Sequence, residues 1–101
     1  MSDNHQTPRE IEIFSSFKRC AKKHYLHLIS GEWAEVINCL IHRTPLPPKY
    51  KDHALTGNLK AYRDCHVKND LVLLYKISDD DNVLELHYLD THSEVFKNAD
   101  K

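Results

Sequence analysis

The run Leu71-Val72-Leu73-Leu74-Tyr75-Lys76-Ile77 constrains this chain more than any other stretch. It is apolar almost throughout, so it reads as a strand in the middle of a sheet rather than at an edge. A mid-sheet strand needs a neighbour on each side, and the sequence supplies both. Leu59 to Val67 precedes it across Lys68-Asn69-Asp70, which is hairpin spacing, and Val83 to Leu89 follows an acidic turn at Ser78 to Asn82. The back half of the chain is therefore expected to be a three-strand meander.

The front half changes period. Arg9-Glu10-Ile11-Glu12-Ile13-Phe14 alternates polar with apolar and predicts a short strand with one buried face. Phe14, Phe17, Ala21, Tyr25 and Leu28 then recur every three or four residues, predicting a helix from about Ser15 to Ile29 with Lys18, Arg19, Lys22 and Lys23 on its polar side. Ser30-Gly31 breaks it. Trp33, Val36, Ile37, Leu40 and Ile41 mark a second helix, with Glu32 in the first turn where the macrodipole favours an acid. Thr44-Pro45-Leu46-Pro47-Pro48 cannot continue a helix, so 44 to 58 is expected to be a surface loop that carries His53. Thr91-His92-Ser93-Glu94 has the form of a capping box and opens a last short helix ending near Phe96.

The order gives an α+β fold: a small, mostly antiparallel sheet made of the N-terminal strand and the meander, two N-terminal helices on one face, and a short C-terminal helix. Its 101 residues suit a single domain, without internal repeat or linker. No apolar run approaches the ~20 residues that span a membrane, and Met1 to Arg9 lacks a secretory apolar stretch, so the expected location is the cytoplasm, with no membrane partner. Cys20, Cys39 and Cys65 are an odd number without a close pair and read as small buried thiols. Lys/Arg and Asp/Glu balance at 14 against 15, but seven to three in 43–76 and two to seven in 77–101. A basic middle segment interleaved with Tyr50, Tyr62 and Tyr75 is compatible with a polyanion, and the balanced total makes it no more than permissive.

Within 51–66, KDHALTGNLKAYRDCH, proton-handling and cationic groups crowd together. On a strand, Tyr62, Asp64 and His66 share one face while Arg63, Cys65 and Val67 share the other. If the sheet order brings the Pro-rich loop and the Thr91 cap to the same end, His53, Asp64, His66, Asp70 and His92 converge. The spacing of these residues matches no tight metal-ligand motif, and Cys65 and His66 face apart, which removes a thiol–imidazole pair. General acid–base work on RNA suits histidines and carboxylates beside Lys and Arg. The plainer alternative is favoured by composition alone: a solvated His/Asp pair, an ordinary turn aspartate at Asp70 and a core anchor at Phe96. His92 is the more telling residue, because the positive end of a capped helix favours the neutral imidazole that can act as a base.

The run LPLPPKYKDHALTGNLKAYRDCHVKNDLVLLYKI with the closing THSEVF resembles the YafQ branch of the RelE/ParE toxin superfamily, over about residues 46 to 96. The shared pattern is a loop KDH, a strand RDxH, an acidic turn residue, an apolar strand and a terminal T/S-H-x-x-L/V-F. The resemblance implies a RelE-like fold and a toxin of a type II toxin–antitoxin pair. It implies a ribosome-dependent mRNA endoribonuclease that inhibits translation without metal or other cofactor. The partners it implies are a cognate antitoxin, the ribosome and mRNA, and operator DNA through the antitoxin. By position, His53, His66, Asp70 and His92 would be catalytic with Asp64 in support. Phe96, Arg63, Lys51 and Lys60 would hold substrate, and Lys18, Arg19, Lys22 and Lys23 would meet ribosomal RNA. Residues 1–8 would form an arm and 97–101 a tail. Two departures stand out: the family usually carries Arg-x-Gly-x-His before the last helix, where this chain has Tyr88 and Asp90, and an aromatic after the turn acid, where Leu71 stands. The alternative they motivate is a catalytically weak homologue that serves as antitoxin partner and transcriptional co-repressor.

Overall fold

The computed structural model describes residues 7–99, with side chains through Lys97. Residues 1–6 and 100–101, which take in most of the expected arm and the end of the expected tail, lie outside the described residues. The sheet has five strands in the order β1 (Glu10–Ile13), β5 (Val83–Asp90), β4 (Leu71–Ile77), β3 (Arg63–Lys68), β2 (His53–Ala54). All pairings are antiparallel except β1 with β5.

The centre of the sheet falls where the apolar run requires. In β4, Leu71, Leu73 and Tyr75 join a core with Phe17, Ala21, Val36 and Leu40 from the helices α1 (Ser15–Ala21) and α2 (Gly31–Ile41). Val72 and Leu74 face the other way and pack with Val95 of α3 (His92–Ala99). A strand covered on both faces has no polar side to show, which accounts for its composition. Ser30 caps α2 by accepting a hydrogen bond from Trp33 N at 3.2 Å. Ser30→Ala is expected to lower stability by about 1 kcal/mol, read as a shift of the urea midpoint at unchanged slope.

Four local expectations need correction. β1 forms, but all four of its residues are exposed rather than presenting a buried face, because it is an edge strand and α1 packs against β5 instead. The expected helix over 15–29 stops at Ala21, and Lys22–Ile29 continues as 3-10 turns with His24 at non-helical φ −126°, ψ 22°. Tyr25, read as core, is thereby turned out to solvent with Leu26 and Ile29. His53 does not lie in a free loop: the expected loop over 44–58 contains β2, paired in register His53↔Asp64. α3 runs to Ala99, beyond the end expected near Phe96.

Candidate functional site

The second face of the sheet gathers the titratable groups. Pairing of β2 with β3 sets His53 directly beside Asp64, and the two-residue period of β3 turns His66 to the same face. Thr91 begins α3 by accepting Glu94 N at 3.3 Å on its hydroxyl and Val95 N at 2.9 Å on its carbonyl. That cap delivers His92 to the face from the far side. The His66 and His92 rings are 6.1 Å apart, and His92 lies 4.7 Å from the Phe96 ring one helical turn on.

Asp64 is the centre of the group. It is 1% exposed, yet His53 Nδ1 stands 3.3 Å from its Oδ1, and Oδ1 makes no well-directed hydrogen bond. The reason is that His53 Nδ1 points to Lys51 O at 2.7 Å. A carbonyl only accepts, so Nδ1 carries the hydrogen and Nε2 is left with its lone pair when the ring is neutral. Burial pushes the Asp64 carboxyl above its usual range, although His53, His66 and His92 all pull it down. Three imidazoles facing one reluctant carboxylate can share and pass protons.

The other expected residues divide. Phe96 borders a cleft of about 440 Å³ with Leu55 to Leu59, and Lys51 borders one of about 280 Å³ with His66, Lys49 and Lys68. Lys60 is exposed at the end of the turn Gly57–Leu59. Asp70 is exposed in the β3–β4 turn and borders a third cleft with His24 and His27; the register Val72↔Asp90 puts it at the sheet end where α3 starts. Arg63 does not join the face. Its guanidinium lies on the helix side of the sheet, bonded to Asp52 at 3.0 Å and to the Tyr75 hydroxyl at 3.3 Å, on the face opposite Asp64 and His66 as the strand period requires. Lys18, Arg19 and Lys22 are exposed on one side of the molecule, whereas Lys23 binds Asp90 at 2.6 Å.

Sequence reasoning missed two features here. Asp90, which stands where the family usually has Gly, is 4% exposed and held by Lys23 and by His24 Nε2 at 2.9 Å. An irregular pairing, Leu74↔Tyr88 then Tyr75↔Leu86, leaves His87 as an extra residue, stacked on Phe14 at 4.0 Å and bonded to Glu85 at 3.0 Å. Neither follows from local sequence, because the first depends on the turns after α1 that reach Asp90 and the second on the strand paired with β5. Among the described residues, no group of three or more His, Cys, Asp or Glu side chains is placed to hold a metal ion.

A mostly antiparallel sheet with paired N-terminal helices on one face and a capped helix on the other is an architecture this chain shares with solved bacterial toxins. A toxin from Helicobacter pylori, solved as a copper-bound point mutant, superposes with TM-score 0.78 at 36% identity, over 87% of this chain and 99% of that one. The Escherichia coli DinJ–YafQ complex contains a chain matching with TM-score 0.72 and 34% identity, over 87% of this chain and 98% of that one. The mRNA interferase toxin YafQ of Escherichia coli strain K12 is 36% identical over 90 residues, 87% of this chain and 96% of that protein. Residues 9–97 match the family described as the bacterial toxin of the type II toxin–antitoxin system, YafQ, and the chain belongs to that family.

Proposed function

We propose that the chain is an endoribonuclease toxin that cuts mRNA on the ribosome by metal-free general acid–base transfer, and that a cognate antitoxin silences it. The observation that carries this reading is the buried Asp64 carboxyl faced by His53, His66 and His92. In the reaction one imidazole takes the proton of the ribose 2′-hydroxyl, O2′ attacks phosphorus, the P–O5′ bond breaks, and a second, protonated imidazole gives its proton to O5′. The products are a 2′,3′-cyclic phosphate and a 5′-hydroxyl. His53, whose Nδ1–H is fixed on Lys51 O, offers Nε2 as the base. The His66–His92 pair then supplies the acid, Asp70 serves from the adjacent turn, and Phe96 stacks on a base beside the cut. Lys51 and Lys60 contact the RNA backbone, and Lys18, Arg19 and Lys22 contact ribosomal phosphates.

The Escherichia coli relative is named an mRNA interferase and its family is solved with DinJ, and both support the same roles here. Among the described residues no helix is long and apolar enough to cross a membrane, in keeping with a protein that works at ribosomes in the cytoplasm. Inducing the chain alone and mapping transcript ends tests the activity. Cuts within translated reading frames support it; unchanged growth and intact transcripts support the second reading, a weak homologue acting as antitoxin partner and co-repressor at operator DNA, which Tyr88 in place of the usual arginine favours.

Two further outcomes are expected. Toxin stripped of transition metals with EDTA, and freed of the chelator before ribosomes are added, should cut at the untreated rate, and added copper should not raise it. Loss of cutting on stripping, restored by a metal, would sink the acid–base mechanism. The chain should also co-purify with the product of its adjacent reading frame, an acidic or amphipathic partner suited to the basic cleft; recovery of the chain alone and harmless counts against an antitoxin.

A further inference from the structure

We propose that Asp90 is a positioning residue: held by Lys23 and His24 on one side and bonded to the Thr91 N–H on the other, it fixes the start of α3 and thereby the place of His92 in the cleft. The proposal rests on the catalytic role given to His92 above. It starts from a conflict in the fold. Asp90 ends β5 and is 4% exposed, a position where an unpartnered carboxylate is strongly disfavoured. Its two oxygens are both engaged. Oδ2 accepts from Lys23 Nζ at 2.6 Å, while Oδ1 accepts from His24 Nε2 at 2.9 Å and from Thr91 N at 2.8 Å.

The partners come from a segment that departs from helical geometry where it meets this carboxylate. α1 runs regularly to Ala21, and the backbone leaves helical φ/ψ at His24, the residue that bonds Asp90. The same stretch is tied to the free edge of β5 by Ser16 Oγ donating to His87 O at 2.5 Å and Leu89 N donating to Cys20 Sγ at 3.1 Å. α1 and the turns after it are thus seated along the last residues of β5, and Asp90 is where that seat passes its hold to α3. Thr91 is bonded through its N–H to Asp90, through its hydroxyl to Glu94 N and through its carbonyl to Val95 N. With three of its polar groups fixed, the next residue, His92, has little freedom in where its ring projects. Burial raises the Asp90 carboxyl, but the hydrogen bonds from Lys23, His24 and Thr91 outweigh it and leave the group below the usual carboxylate range, so it stays charged and holds its three donors.

A positioning role and a merely stabilising one differ in whether the effect passes through His92. Asp90→Asn keeps the shape and an acceptor for Thr91 N–H while removing the charge that holds Lys23 and His24. In the ribosome assay it should lower kcat about 10-fold with KM unchanged. In a His92→Ala background the same substitution should change kcat less than about 2-fold, because the group being positioned is gone. His24→Ala, which removes one partner and leaves the carboxylate, should act in the same direction if Asp90→Asn expresses poorly. Equal losses in both backgrounds, or none in either, overturn the proposal. A second readout needs no activity: the proton NOE between the His66 and His92 rings, centroids 6.1 Å apart, should weaken in Asp90→Asn and His24→Ala. An unchanged NOE overturns the proposal even if the wild-type chain fails to cut RNA, whereas intact transcripts with wild-type protein bear on the endoribonuclease reading instead.

Discussion

His92→Gln is expected to lower cleavage about 10²- to 10⁴-fold, the range for removing one general acid or base, with folding and antitoxin binding retained. His92 is exposed on the first turn of α3, and its ring lies 6.1 Å from that of His66 and 4.7 Å from that of Phe96. Val95 is fully buried and holds that helix down on Val72 and Leu74 without help from the imidazole. An exposed first-turn residue with no chemical role changes stability by no more than about 0.5 kcal/mol and would leave cleavage intact. Glutamine keeps a polar side chain of similar reach but exchanges no proton near neutral pH, so His92→Gln and His92→Ala should fall together. The comparison of single-turnover rates for the two variants, with circular dichroism and antitoxin titration as controls, checks this. Full activity in His92→Gln would leave the chemistry to His53 and His66.

Asp64→Asn should move activity and stability in opposite directions. The carboxylate is buried and its Oδ1 lacks a well-directed hydrogen bond, so keeping it charged opposes folding. Its folded pKa is raised, chiefly by burial. The sign follows: in acid, below the ordinary carboxylate range, both folded and unfolded chains carry a neutral Asp64 and there is no penalty. As pH rises, the unfolded chain ionises first, and the folded state loses stability until Asp64 ionises there too. Asparagine removes that penalty, so the variant should be more stable than wild type by about 1 kcal/mol at neutral pH, with the gain vanishing in acid. Cleavage should nevertheless drop about 10²-fold, because the amide cannot stabilise the imidazolium forms of His53, His66 and His92 as a carboxylate does. Urea unfolding at pH 7 and in acid, set beside the rate, reads both effects. A variant that is less stable at neutral pH, or fully active, contradicts the place given to Asp64.

How much of this was legible in the sequence depends on the range of the interaction. β4 was readable because burial on two faces leaves a local mark, an apolar run, and the α3 cap because Thr91 and Glu94 sit three residues apart. Asp64 and His66 sharing a face follows from the period of one strand. The partner of Asp64 was not readable as such: β2 has two residues, too few for a pattern, and exists only through its pairing with β3. The break at His24 was hidden for a related reason, since Phe17, Ala21, Tyr25 and Leu28 keep a helical period while a carboxylate 66 positions away draws the imidazole aside. The hold on Asp90 was hidden likewise, since Lys23 and His24 are distant from it in sequence. Arg63 illustrates the converse, a cation near the histidines in sequence that the strand period turns toward Asp52. The family pattern located the histidines, and the register explains why they meet.

Attack by the 2′-hydroxyl, promoted by a metal-free set of imidazoles, leaves its mark on the chemistry of the cut ends. Purified toxin should be added to ribosomes translating a defined message, and the new termini then characterised by ligation and phosphatase sensitivity. The expected termini are 2′,3′-cyclic phosphate and 5′-hydroxyl, formed only when the message is translated and largely absent with His92→Gln. Termini carrying 3′-hydroxyl and 5′-phosphate, the products of water attack, would contradict 2′-hydroxyl attack.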